Sequence, residues 1–67
     1  MKVKDLMMTI PMHTAISIYV YGSDLRFIGT VEEYYEELRY IEVNKTLEMK
    51  VTRIVAIDVG EIKINIE

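Results

Sequence analysis

The chain is organised around Thr30-Val31-Glu32-Glu33-Tyr34-Tyr35-Glu36-Glu37-Leu38, the one stretch that combines a helix start signal with a helical period. Thr30 followed three residues later by Glu33 is a capping box, in which each side chain accepts a hydrogen bond from the other residue's backbone amide. Apolar residues recur at i, i+3, i+4 and i+7, and glutamates occupy the positions between them. The stretch is therefore predicted to be an amphipathic helix.

A shorter helix is predicted near the N-terminus. The same apolar spacing is found at Val3, Leu6, Met7 and Ile10, and Pro11 is expected to end the helix. Two turns of helix are not stable alone in water, so we expect the apolar stripe to dock on a sheet.

Between the two predicted helices the pattern is that of a β-hairpin. Alternation over residues 14–21 predicts a strand with two different faces, one bearing Ile16, Ile18 and Val20 and the other Ala15, Ser17, Tyr19 and Tyr21. Gly22-Ser23-Asp24 supplies a turn, and Leu25 to Gly29 is predicted to return as a second strand.

After the central helix the pattern is less regular. Arg39 to Val43 is compatible with a short strand or an extended loop. Leu47 to Ile57 is rich in strand formers, but its alternation changes phase, which predicts a β-bulge near Thr52-Arg53. A turn at residues 58–61 and a final strand over residues 62–66 complete the chain.

These elements predict a single small α+β domain over residues 1–67. We expect a small antiparallel β-sheet of four to five strands with two short helices on one face, in the order αββα followed by two or three strands. If the helices cover one face, Tyr19 and Tyr21 stand on the other, where an oligomer contact or a ligand would cover them.

The composition favours self-association. Of the 67 residues 51% are apolar, whereas a chain of this size buries only about 60% of the surface that it exposes when unfolded. No cysteine is present to form a disulfide or the usual zinc sites. A homo-oligomer is therefore expected, with no metal and no cofactor.

The charge limits the possible partners. A net charge of −3 and a pI of about 5.1 disfavour binding to long nucleic acid. No apolar run approaches the roughly 18 residues of a membrane span or resembles a signal peptide. We expect a cytoplasmic protein without a membrane partner.

No catalytic residue is predicted. His13, the one histidine, lies in a predicted loop without a neighbouring carboxylate, cysteine or second histidine. Ser17 and Ser23 stand outside any nucleophile-elbow pattern. The chain is therefore not expected to be an enzyme.

Two groups of residues are candidates for binding. Glu32, Glu33, Glu36 and Glu37 form either a solvated helix face or a surface for a basic partner or a neighbouring subunit. The second group consists of tyrosines, which either serve the core and sheet faces or, with arginines nearby, bind a protein or a small nucleotide. Its candidate residues are Tyr19, Tyr21, Tyr35, Tyr40, Arg26 and Arg53.

Three segments resemble small acidic proteins of bacterial phages and prophages. They are Met1-Lys2-Val3-Lys4-Asp5-Leu6, Ile28-Gly29-Thr30-Val31 before an acidic helix, and Ile62-Lys63-Ile64-Asn65-Ile66. The resemblance implies a non-enzymatic accessory protein that inhibits host defence by binding a host protein or sequestering a signalling nucleotide. It supplies no active-site residue.

The leading hypothesis is thus an oligomeric, cytoplasmic anti-defence inhibitor of phage type, which binds a host protein stoichiometrically through the Glu32 to Glu37 face and the tyrosine-bearing sheet. One alternative is an oligomeric sponge that sequesters a small or cyclic nucleotide. The other is a structural, assembly or antitoxin-like subunit.

Overall fold

A computed structural model describes residues 1–67 and contains four strands, three short α-helices and one 3-10 helix. In chain order these are α1 (Val3–Met7), β1 (Ala15–Val20), β2 (Asp24–Thr30), α2 (Val31–Glu37), α3 (Ile41–Asn44), the 3-10 helix (Lys45–Glu48), β3 (Val51–Asp58) and β4 (Glu61–Ile66). The predicted α+β class is confirmed.

The four strands form one mixed sheet in the order β2-β1-β4-β3. The β1–β2 and β3–β4 hairpins are antiparallel, but the central pair β1–β4 is parallel. The prediction of an antiparallel sheet is therefore wrong at its centre, and a fifth strand is not present.

The helical segment between the hairpins explains the parallel pairing. β2 ends at Thr30 beside Ala15, at one end of the sheet, whereas β3 begins at Val51 beside Ile66, at the other end. Residues 31–50 therefore carry the chain back along the length of the sheet, and β3 runs in the same direction as β2. Its hairpin partner β4 consequently runs parallel to β1.

All helices lie on one face of the sheet, and the core lies beneath them. Ile16, Ile18 and Val20 are buried as predicted, and their cross-strand neighbours in β4 are Ile62, Ile64 and Ile66. The core also contains Val3, Leu6, Met7, Phe27, Val31, Tyr34 and Val43. The helices leave the outer part of β3 uncovered, since Ile54 is 44% exposed.

Helix α2 begins as predicted. The Glu33 amide donates to Thr30 Oγ1 over 3.2 Å, and the Thr30 amide donates to Glu33 Oε1 over 2.9 Å. Of its apolar stripe, Val31 and Tyr34 are fully buried, while Tyr35 lies at the edge of the core and is 38% exposed. The reciprocal cap thus fixes both the helix start and its rotation against the sheet.

The segment after α2 differs from the expectation. Residues 41–44 form helix α3, so neither a strand nor an extended loop is present there. Leu47 belongs to the 3-10 helix, and β3 begins only at Val51. The reason is tertiary, because Thr46 is fully buried and its hydroxyl lies 2.6 Å from that of Tyr34, which holds this segment against α2.

β3 contains the predicted irregularity. Its register against β4 shifts between Val51 and Arg53, where a bulge was expected, and shifts again between Ala56 and Asp58. The second shift brings Ile57 to the face of the sheet opposite the helices, where it lies near Ala15 and Ser17.

The N-terminal residues cover the start of the β3 edge. The Val3 amide donates to the Met49 carbonyl over 3.0 Å, and the Val51 amide donates to the Met1 carbonyl over 2.8 Å. Helix α1 ends at Met7, earlier than the predicted Ile10.

Two lysines strengthen this attachment. The amines of Lys2 and Lys4 lie 2.7 and 2.9 Å from the Glu48 carboxylate. Their hydrogen bonds lower the pKa of Glu48 from 4.5 to about 2.

Candidate functional site

The face of the sheet opposite the helices, here called the open face, is the candidate site. Cross-strand partners point to the same side of a sheet, so the register defines its three rows. They are Leu25-Tyr19-Asn65-Arg53, Ile28-Ser17-Lys63-Val55 and Thr30-Ala15-Glu61-Asp58, each read from β2 to β3.

Part of the open face is apolar and exposed to solvent. Ile28 is 70% exposed, Ile57 is 53% exposed and Leu25 is 46% exposed. A depression of about 360 Å³ lies between Ile28 and Ile57, and its lining also includes Ala15, Ser17, Tyr19 and Glu61. Because soluble sheets usually cover an apolar face with helices or another chain, this surface is suited to a contact.

The polar side chains of the open face surround this apolar part. The Lys63 amine lies 4.5 Å from the centre of the Tyr19 ring, a cation–π arrangement that draws the amine towards the Tyr19 row. The adjacent Asn65 Oδ1 is buried and accepts no hydrogen bond within the chain.

Charges divide the open face into two ends. Arg53 lies in the Tyr19 row. The Lys63 amine lies over the Tyr19 ring, so this end of the face is cationic. Asp58 and Glu61 form the opposite, acidic end. Beyond the cationic end Lys50 lies beside Glu67, and the two residues exchange backbone hydrogen bonds.

Of the tyrosine and arginine candidates, Tyr19 and Arg53 lie on the open face and in the same row. Tyr21 follows the last residue of β1, with φ of 54° and 78% exposure, so the structure places it in the turn rather than beside Tyr19. Tyr35 and Tyr40 lie on the helical side, at the edge of α2 and before α3.

Arg26 is also directed away from the open face. Its guanidinium lies 2.8 Å from the Asp24 carboxylate and 3.6 Å from the carboxylate of Glu42 on α3. The hydrogen bond to Asp24 raises the pKa of Arg26. Arg26 thus connects β2 to the helical side and does not join Tyr19 in a common site.

The glutamates of α2 lie on the helical side of the molecule. Glu33 caps its own helix, Glu32 and Glu36 are exposed, and Glu37 is half-buried. Glu32, Glu36 and Glu37 form no ion pair within the chain. The glutamate face and the open face consequently lie on opposite sides of the molecule. One compact partner surface cannot contact both at once.

Several residues of the open face are not among the predicted binding residues, including Ile28, Ile57, Asn65, Glu61 and Lys63. Alternation over residues 62–67 indicates that Lys63 and Asn65 share a face. Their position beside Tyr19 depends on the parallel β1–β4 pairing, which no local pattern signals.

The structure contains no group of three or more His, Cys, Asp or Glu side chains placed to hold a metal ion. None of its helices has the length and apolar character needed to cross a bilayer. Comparisons with protein-family models, curated proteins and solved structures found no match.

Proposed function

We propose that this chain is a non-enzymatic binding protein that contacts another protein stoichiometrically through the open face. The phage resemblance suggests a component of bacterial host defence as the target, which the chain would inhibit by occupying its surface. The helical side, including the glutamates of α2, then faces away from the contact.

The observation that carries this proposal is the solvent exposure of Ile28, Ile57 and Leu25 on a sheet face without helices. Covering such side chains contributes about 25 cal/mol for each Å² of apolar surface removed from water. The charges at the two ends then select the partner, because a mismatched charge is left without its water and without a counterion. The complementary surface would be apolar at its centre, acidic near Arg53 and basic near Glu61.

The test compares two isoleucines of equal exposure. Ile28 on the open face is 70% exposed and Ile41 at the start of α3 is 68% exposed. Ile28→Glu places a charge in the proposed contact, whereas Ile41→Glu makes the same chemical change on the helical side. Thermal unfolding of both variants checks that they remain folded.

Each protein is expressed in a panel of bacterial strains that carry one defence system each, and phage plating is counted. We expect the wild-type chain and the Ile41→Glu variant to restore plating on at least one strain, and the Ile28→Glu variant to fail. Equal activity of both variants would contradict the role of the open face. Restored plating on no strain would contradict the class of target.

A second candidate function is sequestration of a small nucleotide. The depression of about 360 Å³ beside Tyr19 is within the size range of small-ligand sites, roughly 300–1,000 Å³. The nearby amine of Lys63 could pair with a phosphate. Thermal unfolding with and without mono- and cyclic nucleotides separates the two functions, since only a sponge is stabilised by a nucleotide without any protein target.

A further inference from the structure

We propose that the open face pairs with a second copy of this chain, head to tail, so that the cationic end of each copy contacts the acidic end of the other. The inference depends on the proposed function in one respect, namely that the open face is a contact surface. It adds a specific occupant and a means of regulation, because a target protein would have to displace the second copy.

The charges at the two ends of β3 on the open face are self-complementary. Arg53 lies in the first row of β3, and Asp58 lies in the third row of the same strand. A two-fold axis that runs across the strands through the middle row reverses the strand direction and keeps the strand order. It therefore places Arg53 opposite the partner's Asp58, and Asp58 opposite the partner's Arg53.

The side chains can span the gap between two such faces. Stacked sheets lie about 10 Å apart, with side chains from both faces filling the space. In this arrangement Ile28 lies opposite the partner's Ile28, and Val55 lies opposite the partner's Val55.

The alternative two-fold axis, parallel to the strands, gives a poorer match. It leaves the rows unchanged and reverses the strand order, so that Arg53 lies opposite the partner's Leu25 and Asp58 opposite the partner's Thr30. A guanidinium buried against leucine loses water without gaining a counterion. The charges thus favour the head-to-tail arrangement over this one.

The size of the face indicates a weak dimer. Four strands about 4.8 Å apart, with six residues at about 3.3 Å each, give a flat face of roughly 19 by 20 Å. Interfaces at this small end belong to transient complexes that bury less than about 1,200 Å² in total. We therefore expect a monomer–dimer equilibrium with a dissociation constant in the range of about 1–100 μM, in which the open face remains available to a competitor.

The test uses complementary charge reversal. Arg53→Glu makes both ends of the face acidic, and Asp58→Arg makes both ends cationic. Each variant alone should dimerise at least about tenfold more weakly than the wild-type chain, because both symmetric ion pairs become repulsive. An equimolar mixture of the two should form a heterodimer, since each acidic position then meets a cationic one.

Dissociation constants are measured by sedimentation velocity over a concentration series, and native mass spectrometry identifies the heterodimer by its mass. The matched controls are Arg39→Glu and Glu36→Arg, which make the same changes in net charge on the helical side and should leave the dimer unaffected. A double variant, Arg53→Glu with Asp58→Arg, reverses both ends. It should dimerise within about threefold of wild type, and it tests the geometry even if a single variant is poorly folded.

Three outcomes would overturn the inference. They are a wild-type chain that stays monomeric at several hundred μM, dimers that are indifferent to the charge reversals, and failure of both the mixture and the double variant to recover. Failure of the proposed function is separate from these. A monomeric wild-type chain whose Ile28→Glu variant alone loses anti-defence activity would leave that function standing.

Discussion

Two buried hydroxyls join α2 to the 3-10 helix, and their geometry gives a prediction with a definite asymmetry. The Tyr34 hydroxyl lies 2.6 Å from Thr46 Oγ1, and the Thr46 hydroxyl donates to the Val43 carbonyl over 2.6 Å. A threonine hydroxyl has one proton, and a carbonyl can only accept. Tyr34 must therefore be the donor to Thr46, and burial raises the pKa of Tyr34, which keeps its hydroxyl protonated.

The two halves of this contact should differ in cost when removed. Tyr34→Phe leaves only an unused lone pair on Thr46, so we expect a loss of about 1 kcal/mol in the free energy of unfolding. Valine has nearly the same shape as threonine, but Thr46→Val leaves the Tyr34 hydroxyl as a buried donor without an acceptor and removes the hydrogen bond to the Val43 carbonyl. We expect this variant to lose about 3 kcal/mol in the free energy of unfolding. In the double variant the stranded donor is absent, so the loss should be about 2 kcal/mol rather than the sum of about 4 kcal/mol.

Urea unfolding followed by circular dichroism measures these differences. All proteins are compared at one low chain concentration, because self-association would add to the apparent stability. Linear extrapolation with an unchanged m-value shows that the effect is on stability. A Thr46→Val loss no larger than that of Tyr34→Phe, or two losses that add in the double variant, would refute the assignment of donor and acceptor.

Three further perturbations test the local structure. Gly29→Ala should lower the free energy of unfolding by about 1–3 kcal/mol, because Gly29 has φ of 154° and an added Cβ would lie 3.0 Å from the Phe27 ring. An unchanged midpoint temperature of thermal unfolding would contradict this reasoning. Thr30→Ala should cost about 1 kcal/mol through loss of the N-cap acceptor, with Thr30→Ser as the variant that should retain stability in urea unfolding. Glu48→Gln should lower the melting temperature at pH 6 but much less near pH 2, because the pKa of Glu48 falls from 4.5 to about 2 on folding. Its carboxylate therefore stabilises the fold fully above the unfolded pKa and progressively less as the pH falls towards the folded pKa. A difference in melting temperature between variant and wild type that is constant with pH would contradict this.

Local signals predicted the elements whose geometry depends on near neighbours in the sequence. The capping box at Thr30 and the alternation of Ile16, Ile18 and Val20 are of this kind, and both are confirmed. Helix α3 and the 3-10 helix were missed because residues 41–48 contain β-branched side chains that favour strands by propensity. Their helical form depends on contacts across the core, such as the buried hydroxyl pair of Tyr34 and Thr46.

The candidate site was predictable in part, and the limit has a physical origin. Alternation alone indicated that Tyr19 is on the face away from the core, because one strand's period of two fixes which of its residues share a side. It does not fix which strands are neighbours, and the sequence pattern is the same for a parallel and an antiparallel partner.

The parallel β1–β4 pair places Asn65 beside Tyr19 and Glu61 beside Ala15, whereas an antiparallel pair would have reversed β4 and moved Glu61 towards Tyr19. The β3–β4 hairpin by itself keeps Asp58 and Glu61 at one end and Arg53 at the other, and the helical crossover decides which of these ends lies beside Tyr19. The same crossover covers the opposite face, so the segment that builds the core also determines the polarity of the surface left for a partner.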